Sequence, residues 1–179
     1  MGQLKQLLPL CDKPVIRHCL DYLLAAGIKN IVAVLGYHGE EVLAAIQEMP
    51  VRIVLNKNQE SDMAESVRIG LSAVTEYSAG VMVCLSDHPL ISVETLKSLM
   101  QYFLETPDKI IIPLYKEKRG HPTLFPRHII EEIFEGGTLR DIVNRDSNRI
   151  RLLDVQDEGV ILDMDTKEDY EKILKKIGI

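Results

Sequence analysis

The run Ser86-Asp87-His88-Pro89 follows five apolar residues, Val81-Met82-Val83-Cys84-Leu85. A carboxylate at the carboxyl end of a strand, ahead of a proline-bearing turn, is well placed to hold a divalent cation. Hard cations take oxygen ligands and commonly combine one or two carboxylates with phosphate oxygens. Asp87 taken singly serves equally well as a cap for the next turn. Asp163-Met164-Asp165 follows Val160-Ile161-Leu162 and precedes a helical pattern. In an alternating strand both carboxylates point to one side, although acids ahead of a helix are also favoured by its dipole. Two separated acidic strand ends are what a two-carboxylate cation site requires. At the start of the chain, Gly2 permits close backbone approach and Lys5 is a compact charge suited to phosphate; a solvated terminus reads the same way. Lys116, Lys118, Arg119 and His121 form the one local basic cluster. It fits a solvated hairpin, and Gly120-His121-Pro122 within it has no second His at metal-ligand spacing. His18 and Cys19 read as helix packing or surface residues.

The elements that must position these groups are legible from periodicity. Residues 31–35, 51–55, 81–85 and 110–114 are short, nearly continuous apolar runs, the pattern of strands buried on both faces of a parallel sheet. Between them lie helical patterns. Pro14 opens one that places Ile16, Leu20, Leu23 and Leu24 on one face and stops at Gly27. A second covers roughly residues 40–47, and a third carries Val67, Leu71 and Val74. A fourth follows Ser92 and buries Leu96, Leu99, Met100 and Phe103. This alternation predicts an α/β fold with right-handed crossovers. Beyond Leu114 the rhythm breaks into a charged turn, a short strand at Thr123–Phe125 and two short helices near 129–134 and 139–143. A strand at 150–155 and a last helix over about 167–177, capped by Thr166 with Asp169 three residues on, complete the chain.

At 179 residues and 20.2 kDa the chain is one domain, 46% hydrophobic and 27% charged, so wholesale disorder is excluded. A net charge of -6 disfavours general nucleic-acid binding but leaves anionic small substrates open, since a few local cations suffice for those. The apolar runs are too short to span a bilayer, and no signal peptide opens the sequence. Cys11, Cys19 and Cys84 form neither a zinc spacing nor an even disulfide set, which points to a reduced cytoplasm.

Five ordered segments resemble the MobA-like NTP transferases, the molybdenum-cofactor nucleotidyltransferase family, and are closest to its molybdopterin cytidylyltransferase branch. Met1 to Pro9 with Lys13 to His18 is similar to RMGxxKxLLPxxGxPxxxH. Asn56 to Leu71, with Met63, Ser66 and Gly70, resembles NPxxxxGMxxSLxxGL. Leu85 to Leu90 resembles GDQPL, Arg119 to Phe125 resembles RGHPxLF, and Leu162 to Tyr170 resembles DIDTPEDY. The resemblance covers essentially the whole chain. It implies a three-layer, Rossmann-like, mostly parallel sheet of the nucleotide-diphospho-sugar transferase (GT-A-like) type, with an NTP-binding part over about 1–105 and an acceptor-binding part over about 106–179. It also implies transfer of an NMP, with CMP favoured, from an NTP to a molybdopterin-type phosphate acceptor, with release of pyrophosphate. Carried over residue by residue, Gly2, Lys5, Met63 and Ser66 contact the nucleotide. Lys5 and Asp87 are catalytic, and Asp87 and Asp165, with Asp163 as alternate, hold magnesium or manganese. Arg119, Gly120 and His121 face the acceptor.

The sequence departs from the family pattern at three places. Asp62 stands where the family has Gly before Met63, Ser86 where it has Gly before Asp87, and Cys11 to Lys13 lacks the usual Gly. The family also opens with a strand and a Gly-rich loop ahead of the position of Gly2, so the resemblance predicts that the reading frame upstream of Met1 encodes them. Without that strand its neighbours lose ladder partners and the sheet is expected to be weakly stable. Two further readings compete. A sugar- or alcohol-phosphate nucleotidyltransferase has the same fold, and a non-catalytic accessory protein of a molybdenum hydroxylase fits the missing loop and Asp62. An aspartyl-phosphate phosphatase is excluded, because its DxDxT ends a first strand whereas Asp163-Met164-Asp165-Thr166 lies near the C-terminus.

Overall fold

The computed structural model describes residues 4–36 and 39–178; Gly2 and His38 lie outside them. The chain begins with a 3-10 turn at Lys5–Leu7 and a small antiparallel hairpin, β1 (Pro9–Leu10) and β2 (Lys13–Pro14). Cys11, in its two-residue turn, takes a positive φ of 55°, a conformation that favours the glycine the family pattern carries nearby. Then follow α1 (Val15–Ala25), β3 (Val32–Leu35), α2 (Glu40–Ile46), β4 (Arg52–Leu55), α3 (Met63–Ala73), β5 (Gly80–Val83) and α4 (Val93–Glu105). The last third supplies β6 (Ile110–Tyr115), β7 (Lys118–Arg119), β8 (Thr123–Pro126), α5 (Arg127–Ile130), α6 (Leu139–Arg145), β9 (Ile150–Asp154) and α7 (Lys167–Lys176).

The α/β alternation is as expected, but the pairing is mixed rather than mostly parallel. β3 pairs with β4 in parallel, and β6 with β9 in parallel. β8 lies between β5 and β6 and is antiparallel to both, and β6–β7 is a hairpin. The tight turn at Lys116 and Glu117, both at positive φ, reverses the chain after β6 and sends it back antiparallel. The expected strand before Asp163 is also absent: Glu158–Ile161 forms a 3-10 turn instead, because Gly159 packs its backbone against the Leu90 carbonyl, where a Cβ would sit 2.2 Å away.

Helices cover both faces of this sheet, giving three layers. Ile110 and Ile112 of β6 face one side, packing with Phe125, Leu71 of α3, Ile130 of α5 and Ile142 of α6. Ile111 between them faces the other side, with Leu99 and Phe103 of α4 and Leu124. The period of two along β6 therefore sorts its side chains between two helical layers. A separate cluster of Leu10, Val15, Met164 and Ile173 ties the N-terminal hairpin to the segment before α7. The Tyr170 hydroxyl donates to the Pro9 carbonyl across the same junction.

Among the described residues, β3 and β5 do not pair with each other. Between them lies a cavity of about 1080 Å³, floored by α1 and α4 on one face and by α3 on the other. Cys84 shows the depth of this space. Its side chain is exposed, yet burial pushes its thiol up to about 12, so its accessible surface opens into the interior cavity rather than onto the outside. The carbonyl of Ile31 accepts from Arg52 of β4, that of Leu35 from Asn56 just past β4, and that of Ala79 from Arg127 next to β8. By strand alternation the backbone groups of Val32, Val34 and Met82 then face the cavity unpaired. The expected result is rapid amide exchange at these three residues, with Ala33 and Val81 protected. Equal protection of both sets in exchange measured by NMR would show that the two edges are paired in solution.

Candidate functional site

Lys5 stands at the centre of the site. Its ammonium donates to Asp87 Oδ2 at 2.6 Å and to Asp165 Oδ1 at 2.7 Å, joining two carboxylates that are far apart in sequence. Three elements make this meeting. The β5 strand delivers Asp87 at its carboxyl end, just past Leu85 and Ser86. The 3-10 turn delivers Lys5, held there as Gln6 donates to Ser86 Oγ at 3.5 Å. The cluster around Met164 and Ile173 delivers Asp165, next to Thr166, which caps α7 in a reciprocal box with Asp169. The hydrogen bonds from Lys172 and Thr166 hold the Asp169 carboxyl down at about 2, so the box is ionised at neutral pH. Burial lowers the Lys5 pKa, but its bonds to Asp165 and Asp87 outweigh this and leave it raised above 10.5.

Asp87 is only 17% exposed at its side chain, and its Oδ1 is buried without a hydrogen-bond partner. His88 Nε2 stands 3.9 Å from it, beyond hydrogen-bond reach, so this buried oxygen is a place for a cation or a donor. Asp165, at 62% exposure, faces solvent on the other side of Lys5. Asp163 is exposed and makes no ion pair among the described residues. The geometry thus brings together Lys5, Asp87 and Asp165 and leaves Asp163 outside. Among the described residues no group of three or more His, Cys, Asp or Glu is arranged to hold a metal. A divalent ion here would take two carboxylates and complete its shell with phosphate and water, as small hard cations do.

Beside Asp87 sits a feature the sequence reading passed over. His88 is buried at 5% exposure, and its ring lies 5.3 Å from that of His121. The Nδ1 atoms of both are buried and without partners. Burial and the neighbouring His88 lower the His121 pKa, which favours a neutral imidazole. The signal was its position next to Asp87, but a histidine after an acid carries no pattern of its own. His121 is fixed in place by its backbone N–H, which donates to the Val160 carbonyl at 2.8 Å, and by Gly120, where a Cβ would meet that same carbonyl at 2.4 Å. Any larger residue at 120 would therefore push the hairpin off the 158–161 turn. Arg119, on β7, is exposed with its neighbours Lys116 and Lys118.

The second half of the site lies at the carboxyl ends of β3 and β4. Met63 and Ser66 line the cavity there, Met63 at 63% exposure and Ser66 half-buried. Asn56, just past β4 and 2% exposed, donates to the hydroxyls of Ser61 and Ser66. Asp62 also lines the cavity, and its place is explained locally: it is the N-cap of α3, accepting from the Glu65 N–H at 2.7 Å. Glycine is nearly as good a cap as Asp, within a few tenths of a kcal/mol. The expected effect of Asp62→Gly is therefore tighter binding of an NTP, by loss of a negative charge, with little change in melting temperature. Titration calorimetry at low and high salt checks it, and a gain that does not shrink with salt would refute the electrostatic reading.

Comparisons with known proteins identify the family and the fold. The model of the family described as MobA-like NTP transferase domain matches residues 1–149. Nicotine blue oxidoreductase from Paenarthrobacter nicotinovorans is 27% identical over 95% of this chain and 87% of its own length. The bifunctional protein GlmU from Geobacillus sp. (strain WCH70) is 29% identical over 62% of this chain, and the match spans only 24% of that longer protein. Among solved structures, Rv0371c from Mycobacterium tuberculosis H37Rv superposes with a TM-score of 0.86 at 28% identity, covering 98% of this chain and 91% of that one. Its complex with manganese superposes at 0.84, again at 28% identity, over 97% and 93%. A nucleotidyl transferase from Methanothermobacter, Mth528, shares the fold at a TM-score of 0.82 and 20% identity, covering 96% of this chain and 84% of that one. No described helix is long and apolar enough to cross a membrane.

Proposed function

Since the chain belongs to the MobA-like NTP transferase family, we propose that it moves an NMP, with CMP favoured, from an NTP to a molybdopterin-type phosphate acceptor and releases pyrophosphate. The observation that carries this reading is the pair of carboxylates, Asp87 and Asp165, gathered on the Lys5 ammonium near the cavity lined by Ser66. In this reading the NTP-binding part is about 1–105 and the acceptor-binding part about 106–179.

In the transfer an acceptor phosphate oxygen forms a bond to the α-phosphorus, and the bond from that phosphorus to the bridging oxygen of pyrophosphate breaks. Two anions must approach each other, so catalysis consists chiefly of positioning and charge compensation. Two of the three N–H groups of the Lys5 ammonium go to Asp87 and Asp165, and the third donates to a phosphate oxygen. The family resemblance assigns Gly2 to the nucleotide as well, and Met63 and Ser66 border the nucleoside. Arg119 and the neutral His121, held by Gly120, face the acceptor. A magnesium or manganese ion fits Asp87 and Asp165, because a single cationic group already bridges them and Asp87 Oδ1 is unpartnered. The manganese complex of the mycobacterial relative supports a divalent ion of this kind. When bound, the ion supplies charge stabilisation for the phosphoryl oxygens.

The test is calorimetric binding of CTP and GTP with magnesium or manganese, followed by a pyrophosphate-release assay with a molybdopterin acceptor. Turnover with the acceptor and none without it is the expected result. Binding without turnover favours an accessory role beside a molybdenum hydroxylase, and absence of nucleotide binding removes the proposal altogether. A sugar phosphate or alcohol phosphate offered in place of the acceptor separates the remaining alternative of the same fold.

A further inference from the structure

Asn56 sits beneath Ser66 with both polar atoms of its side chain committed. The backbone N–H of Asn58 donates to its Oδ1 at 3.1 Å. An N–H can only donate, so that side of the amide is the carbonyl oxygen and the other side is the NH2 group. The two NH2 hydrogens go to Ser61 Oγ and, at 3.2 Å, to Ser66 Oγ. Ser61 passes its own proton to the Asp62 carbonyl at 3.1 Å. Ser66 Oγ is therefore an acceptor toward Asn56. Among the described residues its hydroxyl proton has no hydrogen-bonded acceptor, and Ser66 lines the cavity. A buried amide satisfied on both sides does not rotate cheaply, since each lost bond would leave a desolvated group.

We propose that Asn56 is a positioning residue that sets the polarity of the nucleotide pocket: it takes the Ser66 oxygen and turns the Ser66 O–H into the cavity as a donor. The atom that Ser66 meets is then a lone-pair acceptor of the nucleoside, such as a ring nitrogen or carbonyl oxygen of the base. An amino group at that place would have only the second lone pair of Ser66 Oγ to meet, and only with the O–H turned aside, so an acceptor is preferred there. The inference rests on the reading of this cavity as a nucleotide site.

The test is a double-mutant cycle on the affinity for CTP and GTP, measured with magnesium by calorimetry. Ser66→Ala in the parent should weaken binding about 2- to 13-fold, the worth of one neutral hydrogen bond. Asn56→Asp keeps the size and the bond from Asn58 but replaces the NH2 group by an acceptor, which draws the Ser66 proton inward. In that background Ser66→Ala should cost almost nothing. The cycle cancels the added charge of Asp, because the Ser66 penalty is taken within one background. The loss from Asn56→Asp should fall on the affinity and the KM for NTP more than on the rate at saturating NTP, the split expected of a group that acts through binding rather than on the chemical step. If Asn56→Asp does not fold, Asn56→Ala serves the same cycle, with a Ser66 penalty below that of the parent. The same Ser66 penalty in parent and Asn56 variants overturns the inference while leaving the nucleotide site intact, as does a parent indifferent to Ser66→Ala. A parent that binds neither nucleotide overturns both.

Discussion

Asp87→Asn is expected to lower pyrophosphate release by about a thousandfold, which is about 4 kcal/mol of transition-state stabilisation at about 1.4 kcal/mol per tenfold. Asn keeps the shape of the side chain but carries no charge, so it neither pairs with Lys5 as an ion nor serves well in a two-carboxylate cation site. The fold should not suffer. Asp87 is nearly buried, with Oδ1 unpartnered, and a neutral amide there relieves the cost of an incompletely satisfied buried carboxylate. Lys5 retains Asp165. A melting temperature no lower than the parent's, together with lost turnover at saturating metal and NTP, is the expected pair of results. Unchanged turnover would place the reacting phosphates away from the end of β5.

Lys5→Met should reduce turnover at least about a hundredfold, the scale of removing one preorganised donor from a developing oxyanion. Its second consequence separates it from a merely structural loss. Without the ammonium, Asp87 and Asp165 are left as two carboxylates sharing one space, an arrangement that a divalent cation relieves. Manganese should therefore bind Lys5→Met more tightly than the parent and raise its melting temperature more. In the parent, the stability from Lys5 follows the raised pKa of its ammonium. It is fully present below the ordinary value of 10.5 and fades only as the pH rises through the higher folded value. The manganese effect, measured near neutral pH, is thus free of Lys5 titration. Weaker manganese binding in Lys5→Met would mean that the two carboxylates do not share a cation.

The strands at β3, β4, β5 and β6 and helices α1, α3, α4 and α7 were legible because burial on one or two faces imposes a period that local sequence must carry. The Thr166 cap with Asp169 was legible because a capping box needs only four consecutive residues. The same local logic marked Asp87, at a strand end, whereas Asp62 stood out only as a departure from the family pattern and its side chain proved to be the cap of α3. Only the tertiary structure decided that β8 lies antiparallel between β5 and β6, since strand order depends on which edges meet and not on any one strand's pattern. It likewise separated Asp165 from Asp163. Both are exposed acids flanking the buried Met164, and only the packing of Met164 and Ile173 against the N-terminal hairpin brings Asp165 to Lys5. The pairing of His88 with His121 and the bonds from Asn56 to Ser61 and Ser66 were invisible for the same reason. A side chain's type and neighbours in sequence determine what it can donate or accept, but its partner is chosen by the chain's path through space.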